Sequence, residues 1–207
     1  MELTVKDILK WLELANEQIQ TEKTYLTELD QAIGDGDHGL NMARGFGEVA
    51  SAVLSENDGT IAGVLKDTAM TLISKVGGAS GPLLGTAFLR MSTALKDEES
   101  LDPQRLASAL YAAVEGIKQR GKASEGEKTM LDVWLPVAHH FSEGATFDGN
   151  ALAQVAKEAM EATKDMKATK GRASYFGEKS IGHIDPGAAT SYYLFSALAQ
   201  VVEGSDV

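Results

Sequence analysis

Ile33-Gly-Asp-Gly-Asp-His-Gly-Leu-Asn41 interrupts a chain whose apolar residues otherwise recur three and four apart, the spacing of amphipathic helices. Before it, a stripe runs Val5, Ile8, Leu9, Leu12, Ala15, Ile19 and, after a break, Tyr25, Leu26 and Leu29; after it come Phe46, Val49, Val53 and Leu54. Gly34-x-Gly36-x-x-Gly39 matches the letters of the dinucleotide fingerprint, but that motif needs a strand in front of it. Here a helix precedes it, and two of the intervening residues are aspartates that would repel a pyrophosphate. The segment is therefore a helix-to-helix connection, which sets the chain on an all-α path.

Working outward, the spacing predicts eight helices. The first starts at a Thr4 cap and the second at about Leu40. A third spans Ile61 to Val76, and a fourth starts at Pro82, a favoured first-turn residue. Asp102-Pro103 opens the fifth, and the sixth runs from about Thr129 to Phe141 with a bend at Pro136. The seventh covers about Asn150 to Lys170, and Asp185-Pro186 opens the eighth. No strand is predicted, and no shift in composition divides residues 1–207 into two domains. The connections 55–60, 96–101 and 142–149 are plain polar turns. The other four, at 33–41, 75–85, 120–130 and 171–188, are rich in glycine and polar residues. In an antiparallel up-and-down barrel or bundle, alternate connections emerge at the same end, so these four loops should meet there.

Composition narrows the chemistry. The chain of 207 residues is 43% hydrophobic, as expected for a globular protein. It has no Cys, which excludes disulfides, zinc-thiolate sites and a thiol nucleophile. No basic-then-apolar leader and no membrane-length apolar run is found, so a cytoplasmic protein without a membrane partner is expected. A formal charge of -11 argues against direct nucleic-acid binding.

Asp30, Asp35 and Asp37 place three carboxylates in one short stretch with no Lys or Arg between them. Hard divalent cations take such oxygen ligands, and magnesium is commonly held by a few carboxylates together with substrate phosphates. Two ions about 4 Å apart would clamp both sides of a transferring phosphoryl group. Asp-Gly pairs also cap helices and shape turns, and the residues alone allow both readings. An EF-hand starting at Asp35 fails, because Gly39 takes the third ligand position and Phe46 the place of the closing Glu. A P-loop around Gly116, Gly121 and Lys122 fails as well, because Ala123 lacks the hydroxyl.

Gly77-Gly78-Ala79-Ser80-Gly81 lies just before a helix start, where small residues and free amides suit either an anion or a simple turn. Asp185 is a natural N-cap whatever else it does. His38 lies inside the acidic loop, as a nucleotide contact or as a phosphoryl acceptor. His139 and His140 read as packing or surface residues, and His183 has no charged partner nearby in sequence. Arg172, among small neighbours, is the best candidate for a phosphate fork.

The ordered motifs Leu29-Asp30 with Ile-Gly-Asp-Gly-Asp-His-Gly-Leu-Asn-Met42, Val-Gly-Gly-Ala-Ser-Gly-Pro82, Arg120-Gly-Lys122 with Lys-Thr-Met130-Leu-Asp-Val-Trp134, and Gly171-Arg-Ala-Ser-Tyr with Gly-His-Ile-Asp-Pro-Gly187 span the chain. Together they resemble the L subunit, the ADP-binding subunit, of bacterial PEP-dependent dihydroxyacetone kinase. The resemblance implies an eight-helix antiparallel barrel with a nucleotide site at one end. It implies two Mg²⁺ ions on Asp30, Asp35 and Asp37, bridging the phosphates of an ADP or ATP coenzyme. Around that nucleotide it places His38, Gly39, Leu40, Asn41, Ala79, Ser80, Gly121, Thr129, Met130, Arg172, Asp185, Pro186 and Gly187. No residue is expected to attack covalently.

The implied partners are a phosphohistidine-carrying protein of the phosphotransferase system, which recharges the ADP, and a K subunit that presents dihydroxyacetone. The free chain and its His38-containing loop favour this mode. The alternatives are the nucleotide domain of an ATP-dependent kinase for dihydroxyacetone or another small acceptor, and a regulator whose nucleotide state controls a partner.

Overall fold

Local capping chemistry sets most of the helix starts. The Asp7 carboxylate accepts both the amide and the hydroxyl of Thr4 at 2.7 Å. Thr60, Asp102 and Asp148 each accept the amide three residues ahead, at 3.0, 2.8 and 2.9 Å. Each such cap satisfies an amide that the first helical turn leaves unpaired. In the computed structural model, which describes residues 2–53, 59–142 and 146–204, the resulting helices are α1 (Val5–Thr21), α2 (Lys23–Ile33), α3 (His38–Val53), α4 (Ile61–Lys75) and α5 (Ser80–Ala94). They continue with α6 (Pro103–Gly121), α7 (Leu131–His140), α8 (Gly149–Ala162) and α9 (Pro186–Gly204). Two 3-10 segments, Thr163–Asp165 and Arg172–Ser180, lie between α8 and α9.

The all-α reading holds among the described residues, with only an isolated antiparallel bridge between Leu3 and Leu101 outside the helices. Three details differ. The first predicted helix is two, α1 and α2, broken at Glu22; the two barely pack on one another, so they form a single bent arm of the bundle. The helix expected from Pro82 starts two residues earlier, at Ser80. The helix expected to reach Lys170 stops at Ala162. There the carbonyls of Thr163 and Met166 take the Lys128 ammonium and that of Lys164 takes the Gly182 amide, instead of amides farther along a helix. Leu54 and most of the 55–60 turn lie outside the described residues, as do residues 143–145 of the 142–149 turn.

From α2 onward each helix packs on the next, α1 packs on α3, and α9 returns onto α1 to close a ring. The Trp11 indole N–H donates to the Leu194 carbonyl at 2.7 Å across that closing seam. Trp11, Phe88, Trp134 and Phe195 form a chain of aromatic contacts across the core, with centroid separations of 5.8, 6.3 and 4.9 Å. Fully buried and contributed by α1, α5, α7 and α9, they tie opposite walls together. No described helix is long and apolar enough to cross a membrane.

Phe88 touches both tryptophans. Its replacement by Ala should cost about 3–5 kcal/mol, the range for emptying a well-packed aromatic site. Urea unfolding followed by far-UV circular dichroism would measure this; a loss below about 1 kcal/mol would contradict the tight packing assigned to this core.

Candidate active site

The acidic loop is organised by Asp30. Its Oδ2 accepts the backbone amides of Asp37 at 2.9 Å and His38 at 3.0 Å, so the last turn of α2 caps the first turn of α3. Glycine is required beside this cap. A Cβ on Gly34 would lie 2.0 Å from Asp30 Oδ1, and one on Gly39 would lie 2.1 Å from the Lys23 carbonyl. With α3 drawn so close to α2, one carboxylate oxygen from each of Asp30, Asp35 and Asp37 falls within 4.8 Å of the others. Capping and ligand geometry thus coexist: Asp30 is buried and structural through one oxygen, while Asp35 and Asp37 are exposed. A compact set of hard oxygen donors fits a magnesium-type cation.

The four glycine-rich loops do converge. They wall a cavity of about 490 Å³ to which each contributes, among others Asp30 and Asn41, Gly77 and Leu83, Arg120 and Met130, and Lys170 and Gly187. Of the residues singled out in sequence, the cavity brings together Asp30, Asp35, Asp37, His38, Asn41, Ala79, Ser80, Gly121, Thr129, Met130, Arg172, Asp185, Pro186 and Gly187. Gly39 and Leu40 are not among its lining residues. Gly39 lies against α2, and Leu40, on the outer side of α3, is 57% exposed.

Arg172 reaches from its 3-10 segment to Asp35, with Nη1 2.6 Å from Oδ2. His38 is buried, its Nε2 2.7 Å from Thr190 Oγ1 and its Nδ1 3.4 Å from Ser80 Oγ. Burial pushes the imidazole below its ordinary range, against the raising pull of Asp30 and Asp37. A buried ring with a hydroxyl at each nitrogen offers no free nucleophile, which disfavours the phosphoryl-acceptor reading. Asp185 caps α9 by accepting the Ala188 amide at 2.8 Å. Desolvation pushes its carboxyl up to about 7, opposed by the amides of Ala188 and Gly187 and by the charge of Lys128.

Sequence reasoning assigned no role to Lys128, Arg120 or Lys170, all of which line the cavity, or to Thr190, which holds His38. Arg120 stood within a quoted motif. Lys128 stood within one as well, but a lysine in a polar loop is ordinarily solvated, and nothing around it in sequence marks its burial.

Residues 32–200 match the DAK2 domain. The chain belongs to this family. Its sequence is 51% identical over 192 residues, 93% of this chain and 94% of the relative, to the ADP-binding subunit of PEP-dependent dihydroxyacetone kinase 1 from Listeria innocua. It is 43% identical over 205 residues, 96% of this chain and 98% of the relative, to the ADP-binding subunit of the PEP-dependent dihydroxyacetone kinase of Escherichia coli. Among solved structures, the dihydroxyacetone kinase of C. freundii in complex with AMP-PNP and Mg²⁺ superposes with a TM-score of 0.72 at 25% identity. That match covers 97% of this DAK2 chain and 34% of the larger protein, so the chain spans about a third of its length.

The geometry separates the three aspartates. Asp30→Ala should lower stability by about 1 kcal/mol by removing the cap on α3, whereas Asp35→Ala and Asp37→Ala should leave stability unchanged or slightly raised by relieving repulsion. All three should weaken Mg²⁺ binding at least tenfold, as read by isothermal titration calorimetry beside thermal melts. Unchanged Mg²⁺ affinity would assign the loop to capping alone.

Asp185 has a folded-state value raised above its unfolded one, so the folded chain binds the extra proton between about pH 4 and 7 and stability falls as pH rises through that window. The wild-type stability minus that of Asp185→Asn should therefore decline from pH 4 to pH 7, by up to about 1.4 kcal/mol per unit. Denaturant unfolding at a series of pH values measures it, and a flat difference would refute the raised value.

Proposed function

We propose that this chain is the ADP-binding phosphotransfer subunit of a PEP-dependent dihydroxyacetone kinase, one nucleotide-binding domain over residues 1–207, working in the cytoplasm. The observation that carries the reading is the meeting of the aspartate triad, Arg172 and the glycine-rich loops in one cavity, in a chain that aligns nearly end to end with such subunits. Asp30, Asp35 and Asp37 hold Mg²⁺, expected as two ions, which when bound neutralises phosphate oxygens and supports phosphoryl transfer. Ala79 and Ser80 offer the N-terminal amides of α5 to the phosphates, and Pro186 and Gly187 place the start of α9 beside them. Arg172, released from Asp35, supplies a planar fork. Leu83, Ile117 and Met130 provide apolar wall for the base.

No side chain of this site is placed to attack, and the buried His38 holds the loop rather than carrying phosphate. Catalysis is then positioning and electrostatics, which phosphoryl transfer mainly requires. The acceptor must come from outside: a K subunit presents dihydroxyacetone, and a phosphohistidine protein of the phosphotransferase system regenerates ATP from the bound ADP.

Mass analysis of the purified protein should find ADP retained through dialysis. With ATP and dihydroxyacetone, the chain alone should make no dihydroxyacetone phosphate. Added K subunit should permit about one round per bound nucleotide, because ADP stays in the same cradle. Sustained turnover should begin only with the phosphohistidine donor. Sustained turnover by the chain alone would overturn the subunit reading; turnover with K and bulk ATP would favour an ATP-dependent kinase.

A further inference from the structure

Lys128 is a cation in an unusual setting. Its side chain is 1% exposed, and its backbone lies in the left-handed region at φ 62. A buried ammonium without compensation is unfavourable, so the destination of its three hydrogens matters. Nζ donates to the carbonyls of Thr163 at 2.6 Å, Met166 at 3.3 Å and, through a short contact, His183. Asp185, Asp165 and Asp132 face it electrostatically, and its direct bonds go to backbone. Thr163 and Met166 stand where the chain leaves α8; His183 stands where it arrives at α9. One ammonium therefore joins the two ends of a single loop.

The same stem is closed by the Gly182 amide on the Lys164 carbonyl at 2.7 Å and the Asp185 amide on Thr163 Oγ1 at 3.1 Å. The loop held by this stem carries Arg172, whose guanidinium lies 2.6 Å from Asp35. Opening the stem would free both ends of the segment that brings Arg172 across the cavity to the acidic loop.

We propose that Lys128 is a positioning residue whose ammonium pins the stem of the 163–185 loop and so sets the reach of Arg172 across the site. Its consequence for ligand binding rests on the nucleotide reading above; the pinning itself does not. The chain contains no cysteine, so Lys128→Cys provides a unique thiol that aminoethylation converts back to a lysine-like cation. Wild type, Lys128→Met, Lys128→Cys and the aminoethylated, refolded Lys128→Cys protein would be compared without nucleotide by limited trypsin digestion, and then by titration with ADP and Mg²⁺.

Lys128→Met and Lys128→Cys should cleave at least tenfold faster between Lys164 and Lys179, with helical circular dichroism retained, and should bind ADP about tenfold more weakly. Aminoethylation should restore both properties. Unchanged cleavage and affinity in Lys128→Met, or no recovery on aminoethylation, would overturn the proposal. If the uncharged variants do not fold, nuclear magnetic resonance of the wild type decides. Lys128 ammonium protons protected from solvent exchange support the pin, and rapidly exchanging ones refute it. A wild-type chain that binds no ADP would remove the functional reading, while the trypsin comparison still decides for or against Lys128.

Discussion

One oxygen of Asp30 accepting two amides at the start of α3 is the constraint on which the site depends. It fixes the exit of α2 against the entry of α3 and brings Asp35 and Asp37 near a carboxylate already held in place. Carboxylates about 4–5 Å apart repel by about 1 kcal/mol per pair in water and by up to about 3–4 kcal/mol at an effective dielectric near 20, and the exposed Asp35 and Asp37 lie toward the weaker limit. The two amide bonds and the positive end of α3 contribute about 1–2 kcal/mol each in the opposite direction. The remaining repulsion favours a cation beside the loop. Arg172 meets part of the need at Asp35, and a divalent ion would meet the rest.

The convergence of the loops depends on the parity of the ring. The acidic loop and the loops at 75–85, 120–130 and 171–188 follow α2, α4, α6 and α8, each two chain reversals after the last, so they share an end whatever direction α1 takes. All four contribute residues to one cavity. The ring closure that preserves this arrangement is made by side chains far from the site, among them Trp11 donating to the Leu194 carbonyl.

Helix positions, the common end of the loops and the aspartate triad were legible in the sequence because they follow from periodicity, parity and charge. What was not legible depends on tertiary partners. The early end of α8 goes with Lys128 and Gly182 taking the carbonyls just beyond it, contacts between segments distant in sequence. Leu40 was grouped with its motif neighbours, yet helical geometry turns it outward, one residue before cavity-lining Asn41. His38 kept two readings until Thr190, 152 residues away, was found at its Nε2. Burial of Lys128 had no local signature at all.

The same parity has an electrostatic consequence. A rim that gathers the N-termini of α3, α5, α7 and α9 also gathers the C-termini of α2, α4, α6 and α8, so positive and negative helix ends alternate around it and the backbone alone favours neither ion. Side chains tilt the balance position by position. At the end of α4, Arg44 Nε donates to the Lys75 carbonyl at 2.9 Å. Lys118 and Arg120 occupy the last turn of α6, and beyond α8 Lys128 takes the carbonyls of Thr163 and Met166. Neither α2 nor α8 has a basic residue in its last turn, but Lys128 serves the α8 side from outside, whereas α2 carries Asp30 at its end. The negative helix end that is left uncompensated is therefore the one beside the carboxylates, where a cation belongs. The amide-rich starts of α5 and α9 remain available to anions. Under the proposed reading, this division places metal and phosphates side by side before any ligand arrives, the preorganisation on which a site without a nucleophile must rely.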